Sequence, residues 1–352
     1  MRKKLLKSIV GMAVGAALAT TSTVATAAEQ WSMATSWGGG PFLELDAKGF
    51  AKLAETLTNG EIKIDVFPGG TLGKALKVSD TVKSGVAQAG HTWMGYDWGI
   101  DKATVVFAGM AGGLQPEELM MYLFQAGGAE MMFDYRMDKF GVASIPCGIF
   151  PTEIFLHSKK RIETLDDFKG LKMRTAGAWA EIAGNLGAST VILPGAEVYP
   201  ALERGVIDAT EWSSPSVNLP SGFHKIAKYI IMPGVHQPAA VQECVFNKSA
   251  WEGLTEAQRE LLKLAGKINT LDSWSRYAYK DVGALAEMRK AGNEFVKLSP
   301  EFIAAANAAA EKWSDEQANQ NEWFKKALDH RRAFQKAMRE NWGFFRFPVG
   351  MK

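Results

Sequence analysis

Gly170-Leu171-Lys172-Met173-Arg174-Thr175, taken with Gly205-Val206-Ile207-Asp208-Ala209-Thr210-Glu211-Trp212, decides the reading of this chain. The first stretch reads as a strand ending on an arginine, and the second as a strand ending on a glutamate and a tryptophan. Between them, 178–186 has helical character and is stopped by Gly187, 191–193 is a short strand, and 197–203 is a helix stopped by Gly205. The order is βαβαβ, which builds a mainly parallel sheet. Ligands of such sheets bind beyond the carboxyl ends of the strands. Arg174 and Glu211-Trp212 are therefore expected to meet in a cleft.

Upstream, the same pattern recurs. Residues 30–37 read as a strand broken by Gly38-Gly39-Gly40-Pro41, 42–57 as a helix ended at Asn59-Gly60, 62–67 as an alternating strand, 75–85 as a helix and 87–94 as a strand. Trp37 and the group Trp93, Tyr96 and Trp98 fall at strand ends, where aromatic side chains suit the wall of a small-molecule pocket. Residues 117–140 read as one Met- and Phe-rich helix. Two strands, 142–150 and 152–157, flank Pro151, where the chain is expected to pass from one lobe to the next. A strand at 241–247 should return it. A long helix is expected from Thr255 to about Ala291, and a further one from Ser299-Pro300-Glu301. The tail carries Trp313, Trp323, Phe324, Phe334, Trp342, Phe344 and Phe345. Helices with so many large aromatics pack on their own body or on a partner.

The chain has 352 residues, 47% hydrophobic, with a formal net charge of +2. This length suits two domains. Arg2, Lys3, Lys4 and Lys7 account for the positive balance, so nothing in the charge calls for nucleic acid. The basic start, the small-residue apolar run 9–19 and the ending Ala25-Thr26-Ala27-Ala28 read as a secretory signal, 1–28, too short in its apolar part to span a bilayer. Cys147 and Cys244 are the only cysteines. An exported protein permits one disulfide between them, but their apolar strand contexts suit two free, buried thiols.

Arg174 offers a rigid fork of donors that matches a carboxylate. Glu211, Trp212 (through its carbonyl) and Glu153 offer hard oxygen ligands suited to Na⁺ or Ca²⁺. Without context, such residues are more often ordinary surface or salt-bridge residues. The chain has no G-x-S-x-G, H-E-x-x-H or phosphate-binding G-x-x-x-x-G-K motif. An enzyme reading would need a metal-dependent hydrolase or lyase built on Glu153, Glu211 and His236.

Phe67-Pro68-Gly69-Gly70-Thr71-Leu72-Gly73, then 165–174 (LDDFKGLKMR), Leu186-Gly187-Ala188, 193–202 (LPGAEVYPAL) and 205–209 (GVIDA) occur in this order. The set resembles the substrate-binding subunits of tripartite ATP-independent periplasmic (TRAP) transporters, the DctP-like family. Glu211-Trp212 narrows the resemblance to the α-keto acid-binding subgroup. It implies an α/β, two-lobed periplasmic binding protein fold, each lobe a mixed, mainly parallel sheet flanked by helices, with long C-terminal helices. The implied division is lobe I at 29–151 and 240–300, lobe II at 152–239, and a C-terminal extension at 301–352 able to serve as a dimerisation arm. The implied function is periplasmic capture of a 2-oxo or 2-hydroxy monocarboxylate and its delivery to membrane transport subunits, with no catalysis and no organic cofactor. A binding protein that signals to a membrane sensor is the alternative within the same fold. Substrate contacts are expected from Arg174, Trp212, Glu153, Trp37, Tyr96, Phe150 and Trp179, and cation contacts from Glu211, Trp212, Glu153 and Gln237. The relatives carry glutamine where this chain has Glu153 and glutamate where it has Gln237, an exchange that keeps the number of carboxylates.

Overall fold

The computed structural model describes residues 29–342. The expected export signal 1–28 and the aromatic residues Phe344 and Phe345 lie outside the described residues. Eleven strands are found among the described residues: β1 (Glu29–Thr35), β2 (Ile62–Phe67), β3 (Ala89–Trp93), β4 (Val142–Phe150), β5 (Leu156–Ser158), β6 (Lys172–Arg174), β7 (Ser189–Val191), β8 (Ala209–Thr210), β9 (Tyr229–Met232), β10 (Ala240–Asn247) and β11 (Glu294–Lys297).

They form two sheets, of order β2-β1-β3-β10-β4 and β11-β9-β5-β8-β6-β7. In the first, β1 runs parallel to β2 and β3, and β10 enters antiparallel between β3 and β4. Every residue of β4 and all but the last of β10 are buried. Both strands are covered on two faces, which explains why they are largely apolar, and the buried Glu243 of β10 is paired with Arg136 and Ser144. In the second sheet β6 is parallel to β7 and β8, while β5 is antiparallel to β8 and β9. The chain leaves the first sheet at the end of β4 and returns at the start of β10. Segments β5 to β9 thus form an insertion.

Several sequence expectations change. The 117–140 stretch is two helices, Pro116–Gln125 and Gly128–Phe140. Gly127 breaks it with φ of +80°, a conformation that favours glycine. β11 was not expected, being short and half polar. It pairs parallel with β9, so the end of the 240–300 segment joins the second sheet rather than the first. The long helix, Glu256–Lys290, is capped by Thr255 with Gln258. Its first half is fixed to the first lobe, where Asn269 donates to the carbonyls of Asp46 and Cys147. Its second half is fixed to the other lobe, where Asp281 accepts from Ser214 and from the Ser216 N–H.

Cys147 and Cys244 are joined in a disulfide, with Cα atoms 5.3 Å apart, which corrects the expectation of free thiols. The reason is a β-bulge. Gln242 pairs with Gly148 and Glu243 with Pro146, which leaves Cys147 as the extra residue on β4 beside Cys244.

The aromatic tail packs on its own chain. Phe302, on the helix Pro300–Ala318, meets Phe155 and Phe168 of the second lobe at ring distances of 5.6 and 5.3 Å. On the next helix, Glu322–Ala337, Trp323 meets Tyr135 at 5.4 Å and Phe334 meets Tyr122 at 5.6 Å, both in the first lobe. Trp313 and Phe324 stack edge-on between these helices. These contacts account for the described aromatics without a partner, so they give no reason to call the tail a dimerisation arm.

Candidate functional site: an arginine and two carboxylates between the lobes

β6 and β8 are parallel, with Arg174 in register with Thr210. Arg174 and Glu211 therefore emerge together at adjacent carboxyl ends. From the other side, the carboxyl ends of β1, β3 and β4 bring Trp37, Trp93, Tyr96 and Phe150 to the same place. A cavity of ≈ 30 Å³ lies between them, lined by Trp37, Phe42, Trp93, Tyr96, Phe150, Glu153, Arg174, Ala176, Glu211, Trp212 and Gln237. A cavity of this size has room for about one or two waters.

Arg174 is 2% exposed. Its Nη1 donates to Glu211 Oε1 at 2.8 Å and to the Glu211 carbonyl at 3.2 Å, and its Nε donates to the Leu193 carbonyl at 3.3 Å. Nη2 is buried and has no hydrogen-bond partner among the described residues. The guanidinium lies 5.0 Å from the centre of the Trp212 ring. Trp212 reaches this position because residue 195 is glycine: a Cβ there would stand 2.4 Å from the indole. Burial raises the pKa of Tyr96, and the nearby Arg174 charge partly offsets the rise.

Glu153 sits in the loop between β4 and β5. Gly234 packs against its backbone, where a Cβ would meet the Glu153 carbonyl at 2.4 Å. The Ile154 N–H donates to the Ser213 carbonyl at 3.2 Å, tying this loop to the end of β8. Glu153 Oε2 lies 2.8 Å from His236 Nε2, and Glu211 Oε2 lies 3.9 Å from the same nitrogen. The three side chains offer ligand atoms within 4.8 Å of one another. Burial first, and the Glu211 charge second, push the Glu153 pKa well above the usual carboxylate range, against the pull of Arg174. Burial lowers His236 to about 4. Two carboxylates in so dry a place call for a compensating positive charge beyond Arg174. The oxygen donors of Glu153 and Glu211 fit a hard cation such as Na⁺ or Ca²⁺.

Of the residues expected from sequence, Arg174, Trp212, Glu153, Trp37, Tyr96, Phe150, Glu211 and Gln237 all line this cavity. Trp179 does not. It begins the helix Trp179–Asn185 and packs behind the site, against Phe155 and His236 at 5.8 and 6.2 Å. Phe42 and Ala176 line the cavity without having been expected there; Trp93, expected at a pocket wall, lines it too, whereas Trp98 does not. His236, considered only for an enzyme, stands beside both carboxylates.

A larger groove of ≈ 590 Å³ opens on the first lobe, between Phe124, Phe133, Ile145, Trp251 and the long helix. None of its polar groups is among the buried, unsatisfied atoms, so it has no anchor comparable to Arg174.

The lobes also touch outside the cavity. Lys102 of the first lobe pairs with Glu181 of the second at 2.8 Å, and Glu181 accepts from Trp313 Nε1 at 2.7 Å.

Residues 33–321 match the family described as bacterial extracellular solute-binding protein, family 7, DctP. A monocarboxylate 2-oxoacid-binding periplasmic protein of Nostoc is 31% identical over 307 residues, covering 87% of this chain and 84% of the relative. A TRAP solute-binding protein from Bordetella bronchiseptica, with copurified calcium and picolinate, superposes with a TM-score of 0.86 at 25% identity, over 91% of this chain and 96% of that one. Another, from Pseudoalteromonas atlantica with bound sodium and pyruvate, gives 0.85 at 30% identity, over 90% and 97%. No helix among the described residues is long and apolar enough to cross a membrane. By its matched family and by its two-sheet fold, the chain belongs to the DctP family of TRAP periplasmic solute-binding proteins, which are solute receptors and not enzymes.

Proposed function

We propose that this protein binds a 2-oxo or 2-hydroxy monocarboxylate between its lobes, together with a cation, and delivers the acid to membrane transport subunits. The observation that carries this reading is Nη2 of Arg174: a buried, unpaired donor on a charged group, beside a small cavity. Such a group is costly to leave unsatisfied, and a carboxylate oxygen satisfies it best. Arg174 takes the acid group. Glu153, Glu211, the Trp212 carbonyl and Gln237 hold the cation. Trp37, Phe42, Trp93, Tyr96 and Phe150 exclude water. Ligand contacts to both lobes favour the closed state, which Lys102–Glu181 also holds.

Charge balance supports the pairing of acid and cation. With both glutamates ionised the site carries one net negative charge. A divalent cation and a monocarboxylate bring it to neutrality. A monovalent cation does so only if Glu153 keeps a proton. A homodimer through the C-terminal helix has weaker support, because the helix aromatics are already used within the chain.

The test is thermal unfolding of the mature protein with a panel of carboxylates, in Na⁺, in Ca²⁺ and in chelator. A ligand at 100 times its Kd should add about 2.7 kcal/mol of stability. A panel in which no 2-oxo or 2-hydroxy acid shifts the transition would sink the reading.

A further inference from the structure

Trp37 forms a wall of the cavity beside Arg174, packed on Phe42 at 4.8 Å and on Tyr96 at 6.3 Å between ring centres. It stands just past the end of β1, and Gly38-Gly39-Gly40 follow it. Three successive glycines restrain the backbone little. The Trp37 carbonyl accepts from the Gly69 N–H at 2.8 Å, which fixes the main chain but not the ring. The indole has a single polar atom, Nε1, and it donates to His91 Nδ1 at 2.8 Å.

His91 lies on β3, in register with Thr35 of β1 on one side and Cys244 of β10 on the other. It is fully buried and does not line the cavity. Its partner fixes its chemistry. An indole N–H can only donate, so the Nδ1 that receives it carries no proton. Burial lowers the His91 pKa to about 3, against the pull of the Cys147 carbonyl, so the ring is neutral. A neutral imidazole with a bare Nδ1 has its proton on Nε2. Nε2 is buried and has no hydrogen-bond partner among the described residues. The indole, rather than a partner of Nε2, therefore sets the tautomer.

Trp93 follows the same rule. It lines the cavity, yet its Nε1 donates to the Ala108 carbonyl at 3.1 Å, outside the lining. Both first-lobe tryptophans of this cavity thus have their donor engaged within their own lobe. The charged donor left for an acid is Arg174 of the second lobe.

We infer that His91 is a positioning residue of the receptor: as a neutral acceptor it holds the Trp37 ring in place as a wall and keeps its N–H from the ligand. The inference rests on the binding function proposed above. Released from His91, the indole would either leave a buried donor unpaired or turn it into the cavity, where it would compete with Arg174 for the oxygens of the acid. Either outcome displaces the wall shared with Phe42 and Tyr96.

Long-range nitrogen–proton correlation spectra of the mature wild-type protein test the bond directly and need no variant. His91 Nε2 should be protonated and Nδ1 bare, and the opposite tautomer would overturn the proposal. Calorimetry with pyruvate and Ca²⁺ then tests the role. His91→Leu removes the acceptor and should weaken pyruvate by about tenfold. His91→Gln, whose amide oxygen can accept from the indole, should stay within about threefold of the wild type. In a Trp37→Phe background, which has no donor to lose, His91→Leu should cost no more than about twofold further. The indole N–H resonance that disappears in Trp37→Phe should shift in His91→Leu and keep its place in His91→Gln. An equal loss from His91→Leu with and without Trp37, or pyruvate affinity unmoved by His91→Leu, would overturn the positioning role while leaving the function in place. A wild type that binds neither pyruvate nor any other 2-oxo or 2-hydroxy acid would overturn both, whatever the tautomer.

Discussion

His236 Nε2 stands 2.8 Å from Glu153 Oε2, with both side chains 2% exposed. Without a cation, burial favours the uncharged forms of both groups over an ion pair: it keeps the imidazole neutral and favours the protonated carboxyl. A cation that binds Glu153 competes with that proton. Cation affinity is therefore expected to rise with pH above the ordinary carboxylate range, by up to about tenfold per pH unit. Calorimetry in two buffers of different ionisation enthalpy should count close to one proton released per cation. Glu153→Gln should remove the release and weaken the cation. Unchanged proton counts in that variant would assign the release elsewhere.

Arg174→Ala should weaken every carboxylate by roughly 100-fold or more, since it removes a charge-assisted contact of about 2–5 kcal/mol and leaves Glu211 unpaired. Arg174→Lys should recover only part of this, because an ammonium cannot reach Glu211 and the ligand with a planar fork. Equal affinity of the alanine variant for pyruvate would remove Arg174 as the anchor.

Glu181 touches neither cavity, yet it joins Lys102 of the first lobe and Trp313 of the C-terminal region. Both partners of the ion pair are about one-third exposed, so the contribution is modest, roughly 0.2–1 kcal/mol. Glu181→Gln should raise the ligand dissociation rate a few-fold and leave the choice among acids unchanged. Stopped-flow tryptophan fluorescence measures it. A change in ligand preference would mean that Glu181 shapes the site itself.

Stability should fall as pH drops below about 6.5. Burial lowers His91 and His157 to about 3 and His236 to about 4. The unfolded chain takes up these protons first, and the folded state is penalised by about 1.4 kcal/mol per pH unit for each such histidine. Asp46 acts in the opposite sense. Burial raises it to about 7 despite Tyr277 and Arg276. The folded state therefore binds its proton first, and Asp46 destabilises the fold as pH rises from about 4 to about 7. Asp46→Asn should steepen the acid loss over that window. Urea unfolding at stepped pH checks both slopes.

Replacing both cysteines by alanine should cost about 2–5 kcal/mol, the disulfide closing a segment with a sequence separation of 97 residues. Ligand affinity should stay within about threefold, since neither sulfur lines the cavity. Paired denaturation and binding curves separate the two effects.

The site was legible where chain direction alone decides geometry. Arg174 and Glu211 follow from two parallel strands whose ends coincide, a relation written in the strand–helix alternation between them. Trp179 was placed wrongly because it opens a helix, and a single sequence does not say which face of a first turn meets the ligand. His236 was undervalued because its partner Glu153 is 83 residues away, and the two loops meet only through the antiparallel pairing of β5 with β9 and the close packing of Gly234 on Glu153. The disulfide depends on a bulge, which moves one residue without leaving a pattern. β11 is too short and polar to announce itself, and it owes its existence to the edge of β9.

The order β2-β1-β3-β10-β4 also has a consequence for how the molecule is made. Its fourth strand is supplied by residues 240–247, after the entire insertion has been synthesised. Until then, β3 and β4 have no strand between them. The first sheet cannot close before residue 247 is made, so its earlier strands stay unfinished until the whole insertion has followed them. The sheet settles only when this interior strand is delivered, so its folding is tied to the synthesis of both lobes and not of one.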